Sequence, residues 1–402
     1  MADRHVRIPK LGRAAPPIGN EFVSLEAASG VVLLVATVAA LVWANTASAS
    51  YLTWWHHHLT VGVGDHSITL SYVEWVNQGF MTLFFFLVGL EIKRELVVGE
   101  LRDRRTAALP AVAALGGMVV PALLYVAVNA GGGGLDGWAI PMATDIAFAV
   151  GVLALLGARV PSRLKLFLLT FAIVDDIGAI VVIALFYSRG LDVWWLAGAA
   201  GAILLVLVMA RLGVHHPLWY VLPGVALWVC LLESGVEATL AGVALGLLCP
   251  ARPRGGRPVL ERLEHHLLPW SSFLVVPVFA LANAGVVLTA DAIDTALRSR
   301  ITIGIVVGLV VGKFVGIMGA TTLGLRSGVG RLPEGVTQRQ IAGVAVLGGI
   351  GFTVALFVSD LTFHGTALDH AKIGVLGASV IAAVLGMVVL LFLLRTPQED
   401  CS

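Results

Sequence analysis

Twelve long apolar runs, separated by short polar or charged connections, constrain this chain more than any other feature of its sequence. A helix that crosses the hydrocarbon core of a bilayer needs about 20 predominantly apolar residues. The runs cover approximately residues 27–46, 77–98, 106–129, 138–158, 165–188, 193–211, 217–233, 235–250, 267–289, 301–325, 339–363 and 371–395. The pattern predicts an all-α polytopic membrane protein with twelve transmembrane helices.

The composition excludes an ordinary soluble protein. Of the 402 residues, 58% are hydrophobic and only 13% are charged, whereas a soluble domain has about 25% charged residues. The 46 glycines suit membrane helices, because small residues let neighbouring helices approach closely. The widely separated Cys230, Cys249 and Cys401 offer neither metal-ligand spacing nor a disulfide framework. Nothing supports a nucleic-acid partner, and no cofactor is expected.

Lysine and arginine residues are distributed unevenly between alternate connections. On one side of the membrane there are 21 of them, and on the other side four. Because cytoplasmic loops carry the excess of basic residues, both termini are predicted to be cytoplasmic. Residues 1–26 lack the features of a signal peptide and are interpreted as a cytoplasmic tail. We expect a single membrane domain over 1–402, with a second cytoplasmic tail at 396–402.

The segment 59–71 alternates on both sides of a Gly64-Asp65 turn signal, which predicts a β-hairpin outside the cytoplasm. An isolated two-stranded hairpin is marginally stable in water. The hairpin therefore needs support, either from a partner subunit or from helices of its own chain.

Two runs contain residues that weaken a continuous helix. In "WAIPMATDIAFAVG", Pro141 removes a backbone donor, and Thr144 and Asp145 follow it. In "AVLGGIGFTVALF", three glycines lie within 348–351, ahead of Thr353. Each feature alone is also typical of plain helix packing. Together they fall in the fourth and eleventh runs, the middle members of the triplets 3–5 and 10–12. Interrupted helices at matching positions indicate the binding site of an inverted-repeat transporter.

Two broken helices that cross would bring two positive half-helix ends together, and also two negative ones. Asp145 is the acid expected near the positive ends. Lys313, midway through the run "LVVGKFVGI", is the base expected near the negative ends. The alternative for Lys313 is a side chain that reaches the membrane interface.

Asp175 and Asp176 are adjacent within the apolar run "AIVDDIGAIVVIALF". An ionisable residue inside a membrane helix indicates a functional site. Neighbouring helix residues point about 100° apart, so the two carboxylates can flank one water-filled crevice. Sodium is a hard cation that prefers oxygen ligands. Because burial and mutual repulsion disfavour the charged carboxylates, protons compete with sodium for the same oxygens. This competition predicts an ion/proton exchanger.

These residues resemble the NhaA-type sodium/proton antiporters. The resemblance covers roughly 75–395 and runs through "FFFLVGLEIKREL", "IPMATDIAFAVGVLALLG", "FAIVDDIGAIVVIALFY", "SGVEATLAGV", "VPVFALANAGV", "GKFVGI" and "GGIGFT". It implies helices 4 and 11 unwound where they cross, in a protein of the cell (inner) membrane. The implied activity is electrogenic exchange of protons for sodium or lithium, activated at alkaline pH, without enzymatic chemistry.

The resemblance also implies roles for individual residues. Asp176 corresponds to the central cation and proton ligand, and Asp175 to its partner, with Lys313 as a candidate for pairing. Thr144 and Asp145 correspond to the unwound part of the fourth helix. The cluster linked to the pH response corresponds to Glu91, Arg94 and Glu95. The hairpin 59–71 corresponds to a dimerisation element, which favours a homodimer.

Three positions depart from the family pattern. Glu237 replaces a histidine in "SGVHAT", Phe314 replaces the proline of "GKP", and Gln78 stands where "ND" is frequent. Two other classes remain as alternatives. An intramembrane aspartyl protease needs aspartates on separate helices and a "GxGD" motif, but the only match, "GVGD" at 62–65, lies in the hairpin. A channel or sensor with a transporter fold is the other.

Overall fold

Helices form nearly all of the regular structure in the computed structural model, which describes residues 20–63, 66–188, 190–214, 216–250 and 259–394. The first helix begins at Asn20, so residues 20–26 of the predicted tail extend this helix. The rest of that tail and the predicted tail at 396–402 lie outside the described residues.

The helical segments are numbered α1 to α12 in chain order, and each of the twelve predicted runs overlaps one of them. They are α1 Asn20–Thr46, α2 72–97, α3 Arg104–Asn129, α4 Leu135–Leu155, α5 Ser162–Phe186, α6 Val193–Arg211, α7 Pro217–Ser234, α8 Leu240–Leu248, α9 Val259–Asn283, α10 Arg300–Arg326, α11 Gln338–Leu347 with Phe352–Thr362, and α12 Thr366–Leu393. Two short helices, Ser48–Trp55 and Ala290–Arg298, lie in connections.

Length and apolarity confirm a multi-pass membrane protein. Within the described residues, nine helices are long and apolar enough to cross a membrane, and the bent pair of α11 makes ten. The other two are α2, which ends in the charged stretch 91–95, and α8, which has nine residues. The predicted run 235–250 is therefore too long for its helix. Gly235, with a φ of 78°, ends α7 in the left-handed conformation, and a turn precedes Leu240.

Small residues bring neighbouring helices into close contact, as the glycine content predicted. Gly116 of α3 faces Gly316 of α10, and a Cβ atom at either position would collide with the carbonyl oxygen of the other. Gly89 of α2 packs closely against Gly246 of α8, where a Cβ atom at either position would collide with the backbone of the other helix. In lipid, helices gain little from hydrophobic association, so this close backbone packing supplies much of their attraction.

Both predicted helix breaks are present. In α4, a 3₁₀ helix ends at Met142, Ala143 is extended, and an α-helix begins at Ile146. In α11, the backbone is not helical at 350–351, and the two halves are bent by 44°. The two interruptions fall in the fourth and eleventh segments.

The predicted β-hairpin is also present. Strand β1, His58–Val63, pairs antiparallel with β2, His66–Ser71, with Leu59 opposite Leu70 and Val61 opposite Ile68. The turn residues Gly64 and Asp65 lie outside the described residues. The start of α2 supports the hairpin, because Trp75 Nε1 donates a hydrogen bond to the Leu59 carbonyl at 3.0 Å.

Candidate functional site

The breaks of α4 and α11 cross, and one backbone and one side-chain hydrogen bond join them. The Asp145 N–H donates to the Ile350 carbonyl at 2.6 Å, and Thr144 Oγ1 donates to the Gly348 carbonyl at 3.0 Å. A membrane interior supplies no water to unwound backbone, so such groups must find partners within the protein. The crossing therefore supplies hydrogen-bond partners to polar groups of both breaks.

Asp145 binds the N-termini of both second half-helices. One of its oxygens accepts from the Phe148 N–H at 2.9 Å, which caps the second half of α4. The other accepts from the Thr353 N–H at 3.0 Å and from Thr353 Oγ1 at 2.6 Å, at the start of the second half of α11. A carboxylate is stabilised at a helix N-terminus by the partial positive charge there. The acid expected near the positive ends thus lies against two of them.

Lys313 of α10 is fully buried beside the crossing. Its Nζ donates to the two Asp175 oxygens at 3.1 and 2.9 Å and to Thr144 Oγ1 at 2.9 Å. The Phe171 ring lies below it, with its centroid 5.8 Å from Nζ. Because Thr144 passes a hydrogen bond on to Gly348, Lys313 is linked to the C-terminal end of the first half of α11.

The two adjacent aspartates of α5 have different surroundings. Asp175 is 1% exposed and forms an ion pair with Lys313. Asp176 is 8% exposed, and no hydrogen bond or ion pair among the described residues involves its carboxylate. It lines a cavity of about 80 Å³ together with Thr144, Asp145 and Thr353. The cavity therefore offers one free carboxylate and several polar oxygens.

The same cavity extends along α2 and α9 toward the helix ends opposite the hairpin, where Glu91 and Glu264 line it. Arg94 is the centre of a charged cluster at this end. It pairs with Glu91 at 3.8 Å, with Glu95 at 3.2 Å and with Glu264. Sequence reasoning missed Glu264, because α9 begins at Val259, well before its predicted start at 267. The available signal was the leucine spacing of the first turns of α9 (Leu260, Leu263, Leu267), which places Glu264 on a helix.

The three departures from the family pattern lie away from the central side chains. Phe314 follows Lys313, but its side chain is 37% exposed on the outer surface of α10. The Gln78 carbonyl accepts a hydrogen bond from Trp228 Nε1 at 2.9 Å. Glu237 is buried in the connection between α7 and α8 and accepts a hydrogen bond from Thr239 Oγ1 at 3.3 Å.

A multi-pass bundle in which two broken helices cross beside buried, oppositely charged side chains defines a secondary transporter. Comparison with known sequences assigns the chain to one family of this class. The family model described as Na+/H+ antiporter 1 matches residues 20–390, and the chain belongs to this family. The protein exchanges sodium ions for protons, and it is a transporter rather than an enzyme.

Individual relatives agree with this assignment. The chain is 42% identical to the Na(+)/H(+) antiporter NhaA of Oleidesulfovibrio alaskensis, with 99% of each chain covered. It is 46% identical to the NhaA antiporters of Escherichia coli O139:H28 and Shigella dysenteriae serotype 1, with 91% of this chain and 96% of theirs covered.

Proposed function

We propose that sodium ions and protons bind in turn to Asp176, and that Asp175 and Lys313 adjust the charge beside it. The observation that carries this proposal is the contrast between the two aspartates: Lys313 forms an ion pair with Asp175, whereas Asp176 faces the cavity with no hydrogen-bond or ion-pair partner among the described residues. An unpaired carboxylate in such a place is stabilised either by a proton or by a cation, but not by both. Thr144 and Asp145 supply further oxygen atoms around the ion.

Exchange is electrogenic in this proposal, with lithium as a second cargo. Asp176 and the Asp175–Lys313 pair can each release a proton when a cation enters, so more protons than cations move per cycle. The sodium-driven proton flux of proteoliposomes should then depend on an imposed membrane potential. A flux that is indifferent to the potential would contradict electrogenic exchange.

The pH response is assigned to the charged cluster of Glu91, Arg94, Glu95 and Glu264. These side chains lie where the cavity approaches the helix ends, and Glu91 and Glu264 line the cavity itself. Protonation of a glutamate in this cluster changes the charge that an entering cation meets. A change of the apparent activation pH in Glu264→Gln would support this assignment, and an unchanged pH profile would contradict it.

The protein functions by alternating access in the inner membrane, with both termini in the cytoplasm and the hairpin outside. The excess of basic residues on the side of the Arg94 cluster supports this orientation. Exposed apolar side chains such as Leu155, Leu185 and Leu204 face the lipid. The chain forms a homodimer through the hairpin 59–71. A reporter that is active only in the cytoplasm should therefore be active when it is fused to either terminus.

The test of the site is Asp176→Asn, which keeps the size of the side chain and removes its charge. In everted vesicles, addition of sodium should then produce no pH change above that of vesicles without the protein. We expect the same result for Asp175→Asn, because Lys313 loses its carboxylate partner.

Asp192→Asn is the matched control. Asp192 caps α6 at its exposed N-terminus, and asparagine caps a helix about as well as aspartate. Normal exchange is expected in this variant. Normal exchange in Asp176→Asn would refute the site assignment, while antiport by the parent protein would still stand.

A further inference from the structure

A π-helical turn, Ser271–Val275, interrupts the α-helical hydrogen bonding of α9 where this helix lines the cavity. In a π-helix an N–H donates to the carbonyl five residues earlier rather than four. The Val276 N–H accordingly donates to the Ser271 carbonyl. The next residue is Pro277, which has no N–H. The helix therefore offers the Ser272 carbonyl no donor from the residues four and five positions after it.

The hydroxyl groups of Ser271 and Ser272 are available as well. Both residues line the cavity, and Ser271 is only 4% exposed. No hydrogen bond among the described residues involves either hydroxyl. A buried serine can instead donate back to a carbonyl of its own helix, as Ser359 does to Ala355 at 2.7 Å. The π-turn thus presents three oxygen atoms that the described part of the chain leaves free.

The order of residues along α9 places the two serines deeper in the cavity than the Arg94 cluster. Glu264, a member of that cluster, lies two helical turns before Ser271, and Val276 lies one turn beyond Ser272. Both Glu264 and Val276 line the cavity. Because a helix rises about 1.5 Å per residue, roughly 10 Å separates the serines from the level of Glu264.

The rest of the cavity wall offers few other oxygen atoms over this distance. Apart from the glutamates of the Arg94 cluster and the polar residues around Asp176, the polar lining residues among those described are Ser29, Ser271 and Ser272. The remaining lining residues are apolar. In selective ion pathways, protein oxygen atoms replace the water that a cation leaves behind. The π-turn is therefore the part of this wall best equipped to do so.

From these observations we infer that the π-turn of α9 forms a second cation site, at which a sodium or lithium ion binds on its way from the Arg94 cluster to Asp176. Its ligands are the hydroxyl oxygens of Ser271 and Ser272 and the carbonyl oxygen of Ser272. Hard cations prefer oxygen ligands of this kind. The inference rests on the proposed function, because it takes Asp176 as the inner end of the path.

The second site differs from Asp176 in its chemistry. Hydroxyl and carbonyl oxygens do not take up protons near neutral pH, so protons do not compete with a cation for the π-turn. The site also carries no charge of its own, so it binds weakly and releases the ion again, as conduction requires. Cations thus bind at the π-turn independently of pH, whereas occupation of Asp176 depends on it.

Sodium binding is tested first without the charge of Asp176. Asp176→Asn is purified in detergent, and its unfolding temperature is measured while sodium chloride replaces choline chloride at constant ionic strength. A ligand that binds only the folded protein raises this temperature. We expect sodium to raise it, and the added substitutions Ser271→Ala and Ser272→Ala to abolish most of the rise, equally at neutral and at alkaline pH.

Exchange in everted vesicles tests the same site with Asp176 intact. At low sodium concentration the arrival of the cation limits the rate. Ser271→Ala with Ser272→Ala should then lower the rate at least about threefold, the effect of losing one interaction of hydrogen-bond strength. The maximal rate at saturating sodium should change less, because later steps limit it.

Ser359→Ala is the matched control in both measurements. It removes a fully buried hydroxyl from α11, and Ser359 does not line the cavity. The unfolding temperature should keep its sodium dependence, and exchange at low sodium should match that of the parent.

The second site is overturned if either measurement gives the same result in the folded serine variant as in its parent. A loss that changes with pH would also overturn it, because the serines would then act on the proton of Asp176. If the alanine variant does not fold, Ser271→Cys with Ser272→Cys replaces it, since sulfur is a poor ligand for hard cations. Failure of the Asp176 assignment appears separately, as normal exchange in Asp176→Asn with both serines intact.

Discussion

Lys313 provides the positive charge of the buried site, and its surroundings give it little freedom. It has no exposed surface, and it donates to Asp175 and Thr144. Removing one member of a buried ion pair leaves an uncompensated charge and costs about 3–5 kcal/mol, whereas replacing both members by neutral groups is often neutral. The pair is therefore a constraint on the fold as well as part of the proposed transport chemistry.

We predict that Lys313→Met strongly lowers the thermal stability of the purified protein, because it strands the Asp175 carboxylate. The double variant Lys313→Met with Asp175→Asn should recover most of the loss. Thermal unfolding in detergent measures both changes. Lys372→Met is the control, since no ion pair within 4 Å of Lys372 occurs among the described residues, and it should cost less. Equal losses in the single and double variants would refute the argument.

Glu237, which replaces the family's histidine, keeps an ionisable group at this position. Burial raises the pKa of Glu237 to about 7, near the ordinary histidine value of about 6.5. A group that titrates near neutral pH is thus retained at this position. The charge change differs, because the glutamate goes from neutral to negative as the pH rises, whereas a histidine goes from positive to neutral.

We predict that the Glu237 carboxyl keeps its proton up to about pH 7, far above the exposed value of about 4.3. Its neutral form stabilises the fold at low pH, and this contribution is lost as the pH rises through 7. In infrared difference spectra of parent against Glu237→Gln, a protonated-carboxyl band should disappear with a midpoint near pH 7. A midpoint near pH 4 would contradict this assignment.

At the scale of single helices, the sequence predicted what depends on local composition. An apolar run of about 20 residues is stable in a bilayer as a transmembrane helix, and each of the predicted runs forms helical structure. Pro141 and the glycines at 348–351 weaken a helix locally, so both breaks could be placed. The start of α9 was missed because its first turns are amphipathic rather than apolar. Asp145 was expected near the positive half-helix ends, but its particular hydrogen bonds to Thr353 could not be predicted, since the partners are 208 residues apart.

The contact between α3 and α10 yields a prediction at this scale. Gly316→Ala should lower both stability and exchange, because the new methyl group collides with the Gly116 carbonyl, and overpacking costs roughly 1–3 kcal/mol. It would also displace Lys313, one turn away. Gly319→Ala, on the same helix with open space at its Cβ position, should be neutral or slightly stabilising. Thermal unfolding and vesicle exchange compare the two variants, and equal effects would contradict the packing argument.

The molecule as a whole is asymmetric across the membrane. Its cavity approaches the side of the Arg94 cluster, whereas buried side chains such as Asn77 and Phe357 fill the bundle toward the hairpin. The hairpin extends beyond this closed side with one apolar face, formed by Leu59, Val61, Ile68 and Leu70. Leu59 and Val61 remain exposed in the single chain, so a second copy can cover them.

We predict that Leu59→Ser combined with Val61→Ser dissociates the proposed homodimer, because it removes the apolar surface that a partner hairpin would bury. Light scattering of the purified protein in detergent measures the mass. Thr60→Ser, on the opposite face of β1, is the control and should remain dimeric. A dimer that survives the double substitution would place the interface elsewhere.

The double capping by Asp145 also has a consequence for how the chain is made. The second halves of α4 and α11, Ile146–Leu155 and Phe352–Thr362, have 10 and 11 residues, about half of what a stable span requires. Synthesis proceeds from the N-terminus, so Asp145 enters the membrane long before Thr353 exists to bind it. The first half of the protein must therefore wait, incompletely bonded at its centre, until translation of the eleventh helix supplies the missing donors.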